Sequence, residues 1–313
     1  MKKSFVTLSL TLLALAASLT FGLMGKYSTS AQTAVTTSDS GVVMPNIGIY
    51  ALDQNNTLFI LRPGATNFTR LASVRGVTGS LIGLDFRPAD RKLYALSDAD
   101  TLYTINLSNN LGAATRVSTV SPSFDGGFQS LMDFNPVVNA LRLIGGNDQN
   151  YALVNSNGGN LNATAVQTAM NYRAGDVNAG RSPSITAGSY TNNNNGAQVT
   201  IFYGVDSARD TFVTIDPAAP GGSSATATGA LRTIGRLVTP RGELINFSST
   251  GDFDIFSING NNFIVGVSGN RLFTIDMRQI NPNQALGTTK NVVVRSIALS
   301  GPSGFIDVAL PTF

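Results

Sequence analysis

Two stretches of this chain, "LDFRPADRKLYAL" at Leu84–Leu96 and "MDFNPVVNALRLI" at Met132–Ile144, carry the same text 48 residues apart. In register they extend without a gap, "LDFRPADRKLYALSDADTLYTINLSN" (Leu84–Asn109) lying over "MDFNPVVNALRLIGGNDQNYALVNSN" (Met132–Asn157). The middle of the unit returns as "IYALDQNNTLFILRP" (Ile49–Pro63), "IFYGVDSARDTFVTIDP" (Ile201–Pro217) and "FIVGVSGNRLFTIDM" (Phe263–Met277). The period runs from about 44 to about 62 residues, a range that belongs to propeller blades.

Each unit divides into four short runs rich in Val, Ile, Tyr, Phe and Thr, the residues that fit a pleated and half-buried surface. The first run reads "LDF", "MDF", "FDI" (Phe253–Ile255) or "FIDV" (Phe305–Val308), and Pro88 and Pro136 stop it in two units. The second is "KLYAL" and its relatives, the third "TLYTIN" or "RLFTID". The fourth is looser, as in Thr69–Val74, Thr115–Val120, Ala163–Met170, Leu231–Leu237 and Asn291–Leu299. Five first runs and five second runs occur, but the chain opens with a second run and closes with a first. A ring accounts for this offset. The expected fold is an all-β, five-bladed β-propeller in which the C-terminal strand, Gly304–Leu310, lies beside Ile47–Leu52 and leaves no open edge. An open sandwich with accidental repeats would not sustain the period. An outer-membrane barrel needs strands of about 9–11 residues, and these runs are expected to be five to seven long.

Lys2 and Lys3, the uncharged apolar stretch Phe5–Gly25 and the small residues of "STSA" (Ser28–Ala31) read as a signal peptide cleaved after Ala31. An uncleaved anchor is the alternative. The domain reading is therefore 1–31 signal peptide, 32–46 flexible leader and 47–311 one propeller. "NNNNG" (Asn192–Gly196) and "PAAPGGSSATATG" (Pro217–Gly229) are low-complexity insertions in the fourth unit. The expected location is secreted, periplasmic or at the cell surface. The chain has no Cys, so stability rests on core burial rather than on disulfides. Three of the 21 Lys and Arg precede the cleavage site, leaving 18 against 18 acids. A near-neutral mature chain lacks the basic footprint of a nucleic-acid binder. It also has no membrane span, and it is expected to be a monomer.

Beyond the repeat grammar, the text "MDFNP" (Met132–Pro136), "LRL" (Leu141–Leu143), "SYTN" (Ser189–Asn192) and "LFTID" (Leu272–Asp276) resembles the secreted bacterial family known as domain of unknown function 4394 (DUF4394). The likeness covers nearly all of residues 47–311, with a looser similarity to NHL and YWTD-type propellers. The resemblance implies a secreted propeller-like domain with no catalytic residue to carry over. After Gln149–Asn150 this chain has Tyr151–Ala152 where the family's text suggests a basic residue.

The absence of His and Cys excludes a His-based triad, a thiol nucleophile and a Cys/His zinc site. "GVSGN" (Gly266–Asn270) lacks the final Gly of a nucleophile elbow and reads as a hairpin turn. Tyr50, Tyr94, Tyr103 and Tyr203 could stack on a ligand but sit in β runs, where core packing is the simpler role. Asp98 and Asp100 ("SDADT") have oxygen-ligand spacing, and turn chemistry explains them equally. Arg173, Asp176 and Arg181 fall in a long loop outside the repeat and are expected to be solvated. Four first runs carry an Asp, namely Asp85, Asp133, Asp254 and Asp307, and the run Ser184–Tyr190 has none. If first runs are innermost, these carboxylates meet near the axis. They either hold a hard cation such as calcium or bond to backbone N–H groups of their own or the next blade. The functional reading is a binding or scaffolding module of the cell exterior or envelope, whose partner is an envelope protein or a glycan. The rivals are a polysaccharide hydrolase or lyase using Asp from several blades, and a ligand-free envelope structural protein. On this reading the exported protein begins at Gln32, which mass spectrometry of the native protein checks; an intact Met1 in a membrane fraction would favour the anchor.

Overall fold

The structure, a computed structural model, describes residues 34–37 (backbone only), 41–155, 161–215 and 228–312. The proposed signal peptide and most of the insertion Pro217–Gly229 lie outside the described residues. From Gln32 onward the chain forms one unit. It contains five antiparallel meanders, each with four strands, running from the innermost strand outward. Blade 1 is Asp307–Ala309, Ile49–Leu52, Thr57–Leu61 and Thr69–Ser73. Blade 2 is Leu81–Phe86, Leu93–Ser97, Thr101–Ile105 and Ala114–Thr119. Blade 3 is Ser130–Asn135, Ala140–Gly145, Asn150–Asn155 and Leu161–Val166. Blade 4 is Ile185–Tyr190, Phe202–Asp206, Thr211–Ile215 and Ala230–Val238. Blade 5 is Asp252–Ile258, Asn261–Ser268, Arg271–Asp276 and Arg295–Ala298.

The protein is thus the expected five-bladed propeller. Its ring is closed by the last strand, with Asp307 opposite Leu52 and Ala309 opposite Tyr50. The innermost strands of successive blades neighbour one another around the axis. The core is not a single mass. It lies in the seams between adjacent blades. Tyr50 and Leu52 face Leu84 and Phe86, and Leu96 and Tyr94 face Phe134 and Met132. The remaining seams join Leu131 to Ile185, Phe212 to Phe253, and Val265 to Phe305. Each large apolar side chain so buried contributes roughly 1.5–3 kcal/mol, which a chain without disulfides requires.

The Asp, Asn and Gly content follows from one recurring turn. Between the second and third strands, Asn56, Asp100, Asp148 and Asp210 all take positive φ (56°, 55°, 68° and 51°), and Gly269 (58°) stands there in blade 5. Asn, Asp and Gly are the residues that tolerate this left-handed conformation.

Three expectations change. First, part of the expected leader is ordered as a hairpin of Ala34–Thr37 with Val42–Pro45. Val42 and Met44 are buried among Phe256, Phe263 and Phe305, because the seam between blades 5 and 1 has room for two more apolar side chains. Second, the long loop after blade 3 is not simply solvated. Asn171–Tyr172 pairs in parallel with Ala230–Leu231 at the outer edge of blade 4, and buried Asp176 accepts from the Thr233 N–H at 2.7 Å. Third, the outer strand of blade 4 reaches nine residues, since Val292–Val293 also pairs with its far end. Gly235 in that strand is required by close approach: a Cβ there would stand 1.7 Å from the Lys290 carbonyl oxygen.

Deleting Gly304–Phe313 would bare the edge of Ile49–Leu52 and strip Phe305, Val308 and Leu310 from the seam. The expected outcome is aggregation or loss of cooperative unfolding, read by light scattering and calorimetry. A truncated protein that stays monomeric with an unchanged Tm would refute the closure.

Candidate functional site

The innermost strands present acids to the axis. Asp85, Asp133, Asp254 and Asp307 are each only 1–3 % exposed, and so is Asp252, which the sequence reading missed. The signal was available: Asp252 and Asp254 are two apart in one strand, and alternation puts them on one face.

Their oxygens are engaged across the blade boundaries. Asp307 of blade 1 accepts from the Leu84 N–H of blade 2 at 2.7 Å, and Asp85 of blade 2 accepts from the Phe134 N–H of blade 3 at 2.7 Å. Asp133 of blade 3 accepts from the Tyr190 N–H of blade 4 at 2.9 Å. Asp254 of blade 5 accepts from the Leu310 N–H, next to the closing strand of blade 1, at 2.8 Å. Blade 4 has Ser189 in this place. A hydroxyl is too short to span to the next strand's backbone, and it donates instead to Asp254 Oδ1 at 3.0 Å. Asp252 completes the circuit in the reverse direction, accepting from the Gly188 N–H of blade 4 at 2.9 Å. Gly83 permits one of these contacts, because a Cβ there would lie 3.0 Å from Asp307 Oδ2 and 2.7 Å from Met132 Cγ.

The pairing registers separate the acids into two levels. Asp85 stands opposite Tyr94 in "LYAL", but in the equivalent "IYAL" of blade 1 it is Ala309 that stands opposite Tyr50. Asp307 is therefore two residues off the position inferred from sequence. This displacement brings it to the level of Asp252, and the two acids perturb one another. Each is pushed toward its protonated form. Burial and then the neighbouring acids hold Asp85, Asp133 and Asp252 well above the usual carboxylate range; burial does the same to Asp307. Asp254, whose charge is supported by the Leu310 and Ile255 N–H groups, is raised by burial to about 6. No salt bridge reaches any of the five among the described residues. Arg142, opposite Asp133 in the pairing, donates to Asn150 Oδ1 and the Thr228 carbonyl and lies over the Tyr190 ring.

Calcium needs six to eight oxygen ligands converging on one point. Among the described residues no group of three or more acids is disposed to hold a metal ion. Both oxygens of Asp85 and of Asp254 already accept from N–H groups. Asp85, Asp133, Asp254 and Asp307 fit interblade hydrogen bonding better than a calcium cage. The other candidate ligands behave alike: Asp98 accepts from the Ser80 N–H and Asp100 from the Phe124 N–H, both at 2.8 Å. "GVSGN" is a hairpin turn, with Gly269 at φ 58°.

A roomy cavity lies between blades 4 and 5. It measures about 310 Å³ and is lined by the turn residues Thr191–Asn192 and Val199–Ile201 of blade 4, by Gly260–Asn262 and Met277–Arg278 of blade 5, and by Tyr203. These come from the loops between first and second strands and from the end of a third strand, which emerge on the same end of the blades. The insertion "NNNNG" supplies Asn192 to the cavity, and its Asn193 favours the charged form of Asp254.

The chain belongs to the family described as domain of unknown function (DUF4394), whose profile matches residues 57–298. No functionally curated protein matches the sequence. Among solved structures it is similar to the β-propeller domain of Myceliophteria thermophila Cps50 (Swd1), at 10 % identity and TM-score 0.39, covering 84 % of this chain and 70 % of that one. It is similar to a structural-genomics protein of unknown function from Bacteroides thetaiotaomicron (11 %, 0.40, covering 81 % and 67 %). The major Malassezia sympodialis allergen Mala s 1 matches at 9 % and 0.45, covering 89 % and 86 %. No helix among the described residues is long and apolar enough to cross a membrane.

Carboxyls raised in the native state bind protons that the unfolded chain, with Asp near 3.9, releases. Stability is therefore fully present below about pH 4 and falls as pH rises through the folded values. For Asp254, at about 6, the loss falls between about pH 4 and pH 6 and is on the order of 2–3 kcal/mol. Calorimetry should find a higher Tm at pH 5 than at pH 8, unchanged by a calcium chelator. Asp252→Asn keeps a donor toward Asp307 without a titrating proton and should raise the Tm at pH 8. A Tm that rises with pH, or that falls on chelation, would remove the proton-held axis.

Proposed function

We propose that this protein is an exported binding module of the cell exterior or envelope, a monomer that presents its ligand site at the boundary of blades 4 and 5. The observation that supports this most is the 310 Å³ cavity, a size within the range of small-molecule sites. It is built from loops on a rigid scaffold, where binding residues concentrate. Blade 4, which departs furthest from the repeat, supplies one wall of the cavity through the turn that carries an insertion, in keeping with the tendency of per-repeat insertions to map to a binding face.

A polysaccharide hydrolase or lyase using Asp from several blades receives less support. The acids whose environment suits proton transfer are those on the axis, and at 1–3 % exposure a polymer cannot reach them. Asp148, also raised by burial, sits in a turn and accepts from Ser182 Oγ. Catalysis needs acid and base within hydrogen-bond reach of substrate.

Purified protein from Gln32 onward should release no reducing ends from envelope polysaccharides, while a ligand screen followed by NMR should produce shifts confined to the cavity-lining residues. Depolymerising activity abolished by Asp254→Asn would overturn the binding reading in favour of the enzyme.

A further inference from the structure

We infer that the cavity between blades 4 and 5 receives an uncharged, hydroxyl-rich ring, a terminal unit or short segment of a neutral glycan, with the Tyr203 hydroxyl as its fixed polar anchor. This inference rests on the binding reading above and gives it a ligand class.

Tyr203 is the second residue of the second strand of blade 4, Phe202–Asp206, and is 4 % exposed. Its ring is stacked on Phe212, with centroids 5.4 Å apart and planes 8° from parallel, so the seam fixes its position. The hydroxyl makes no hydrogen bond with any described residue. Its buried counterparts do: Tyr94 donates to Asp90, Tyr103 accepts from the Thr78 N–H, Tyr151 donates to the Ser123 carbonyl and Tyr172 to Asp206. The Tyr190 hydroxyl is also without a well-formed partner, but it is sealed in the interior. Tyr203, by contrast, lines a cavity, and its hydroxyl is not among the unpartnered polar atoms sealed from solvent. A buried phenol normally finds a partner, and here the space for one is outside the chain. Burial pushes this hydroxyl up from its ordinary range, so it is neutral, both donor and acceptor.

The Thr191 and Thr200 hydroxyls of the lining are engaged with backbone groups, and its three asparagines are uncharged amides with one function each left open. Asn192 Nδ2 donates to the Val199 carbonyl and Asn261 Nδ2 to the Asn259 carbonyl, leaving both Oδ1 atoms as acceptors. Asn262 Oδ1 accepts from Ser257 Oγ, leaving its Nδ2 as a donor. Donors and acceptors side by side suit vicinal hydroxyls, each of which gives and takes one bond. Arg278 is the sole charge on the wall, and Asp276 neutralises it with two oxygens, at 2.9 and 3.0 Å from Arg278 Nε. An anionic ligand would have to displace that carboxylate. Ile201, Met277 and Val199, the last 68 % exposed at the rim, offer an apolar surface to the C–H face of a ring.

A peptide fits less well. Extended peptides add to a free sheet edge, and both second strands behind this cavity are paired on each side.

The test titrates the protein from Gln32 onward with neutral di- and trisaccharides of glucose, galactose, mannose and N-acetylglucosamine. Parallel arms use neutral peptides and inorganic phosphate, all followed by NMR. At least one neutral oligosaccharide should shift the Asn262 side-chain amide. Tyr203→Phe should weaken it roughly three- to tenfold, one hydrogen bond's worth, with unchanged Tm because the hydroxyl has no partner in the fold. Asn261→Ala should weaken it similarly. Oligosaccharide binding indifferent to Tyr203→Phe overturns the anchor. Cavity shifts caused by peptide or phosphate but by no saccharide overturn the ligand class and keep the binding reading. No cavity shift with any probe overturns both.

Discussion

The rest of this structure depends on a carboxylate of one innermost strand reaching the backbone N–H of the next blade's innermost strand. Seams of apolar side chains hold blades together but are weakly directional, and on their own they would tolerate sliding of one blade along another. A hydrogen bond such as Asp85 to the Phe134 N–H fixes the height of one strand against its neighbour. The inner strand can spare that N–H because it is the edge of its sheet and has no further strand to pair with. Burial makes such a bond obligatory, since an unpaired inner-edge N–H in this environment costs about 1–3 kcal/mol. The same burial gathers five acids where none is well solvated, and it pushes each toward its protonated form, Asp252 of the last blade and Asp307 of the first among them.

A second set of pins lies at the turns between second and third strands. There the residue that takes the left-handed turn also reaches the segment leading into the next blade. Asn56 accepts from the Leu81 N–H, Asp100 from the Phe124 N–H, Asp148 from Ser182 Oγ and Asp210 from the Phe247 N–H. In blade 5, where Gly269 has no side chain, its backbone carbonyl accepts from the Gly304 N–H. One residue type thus serves both turn and junction, which is why the chain is rich in Asp and nearly devoid of Glu: the longer side chain neither adopts this conformation readily nor stops at the right length.

Much of this was legible. The repeated "LYAL" and "TLYTI" text located every second and third strand, and the offset between opening and closing runs gave the ring, because a propeller's edge can be satisfied only by its own far end. The acids of the first runs were found, but their level was not. A one-dimensional match of "FIDV" to "LDF" cannot see that the final strand enters two residues out of step, and only pairing with Ile49–Leu52 reveals it. Asp252 was hidden by the same focus on a single matched column. The burial of Val42 and Met44 was illegible for a different reason: a two-residue contribution to a seam has no period. Tyr203 read as core, and its ring is core. That the residue also lines a cavity depends on turns from two blades, a long-range fact that local pattern does not encode.

The cavity and the axis are connected through the blade that breaks the repeat. Blade 4 alone lacks an inner-strand acid, and its Ser189 leaves Asp254 to be supported from elsewhere. The turn that follows is lengthened by the asparagine run, and Asn193 from that run favours the charged form of Asp254 while its neighbour Asn192 forms part of the cavity wall. Loss of the repeated Asp and gain of the insertion are therefore complementary: the turn that compensates the axis is the turn that shapes the cavity. Asp254 in turn accepts from the N–H of Leu310 at the ring closure. Since the cavity is built by two blades and exists only in the closed ring, a ligand that binds it stabilises the folded ring as a whole by linkage.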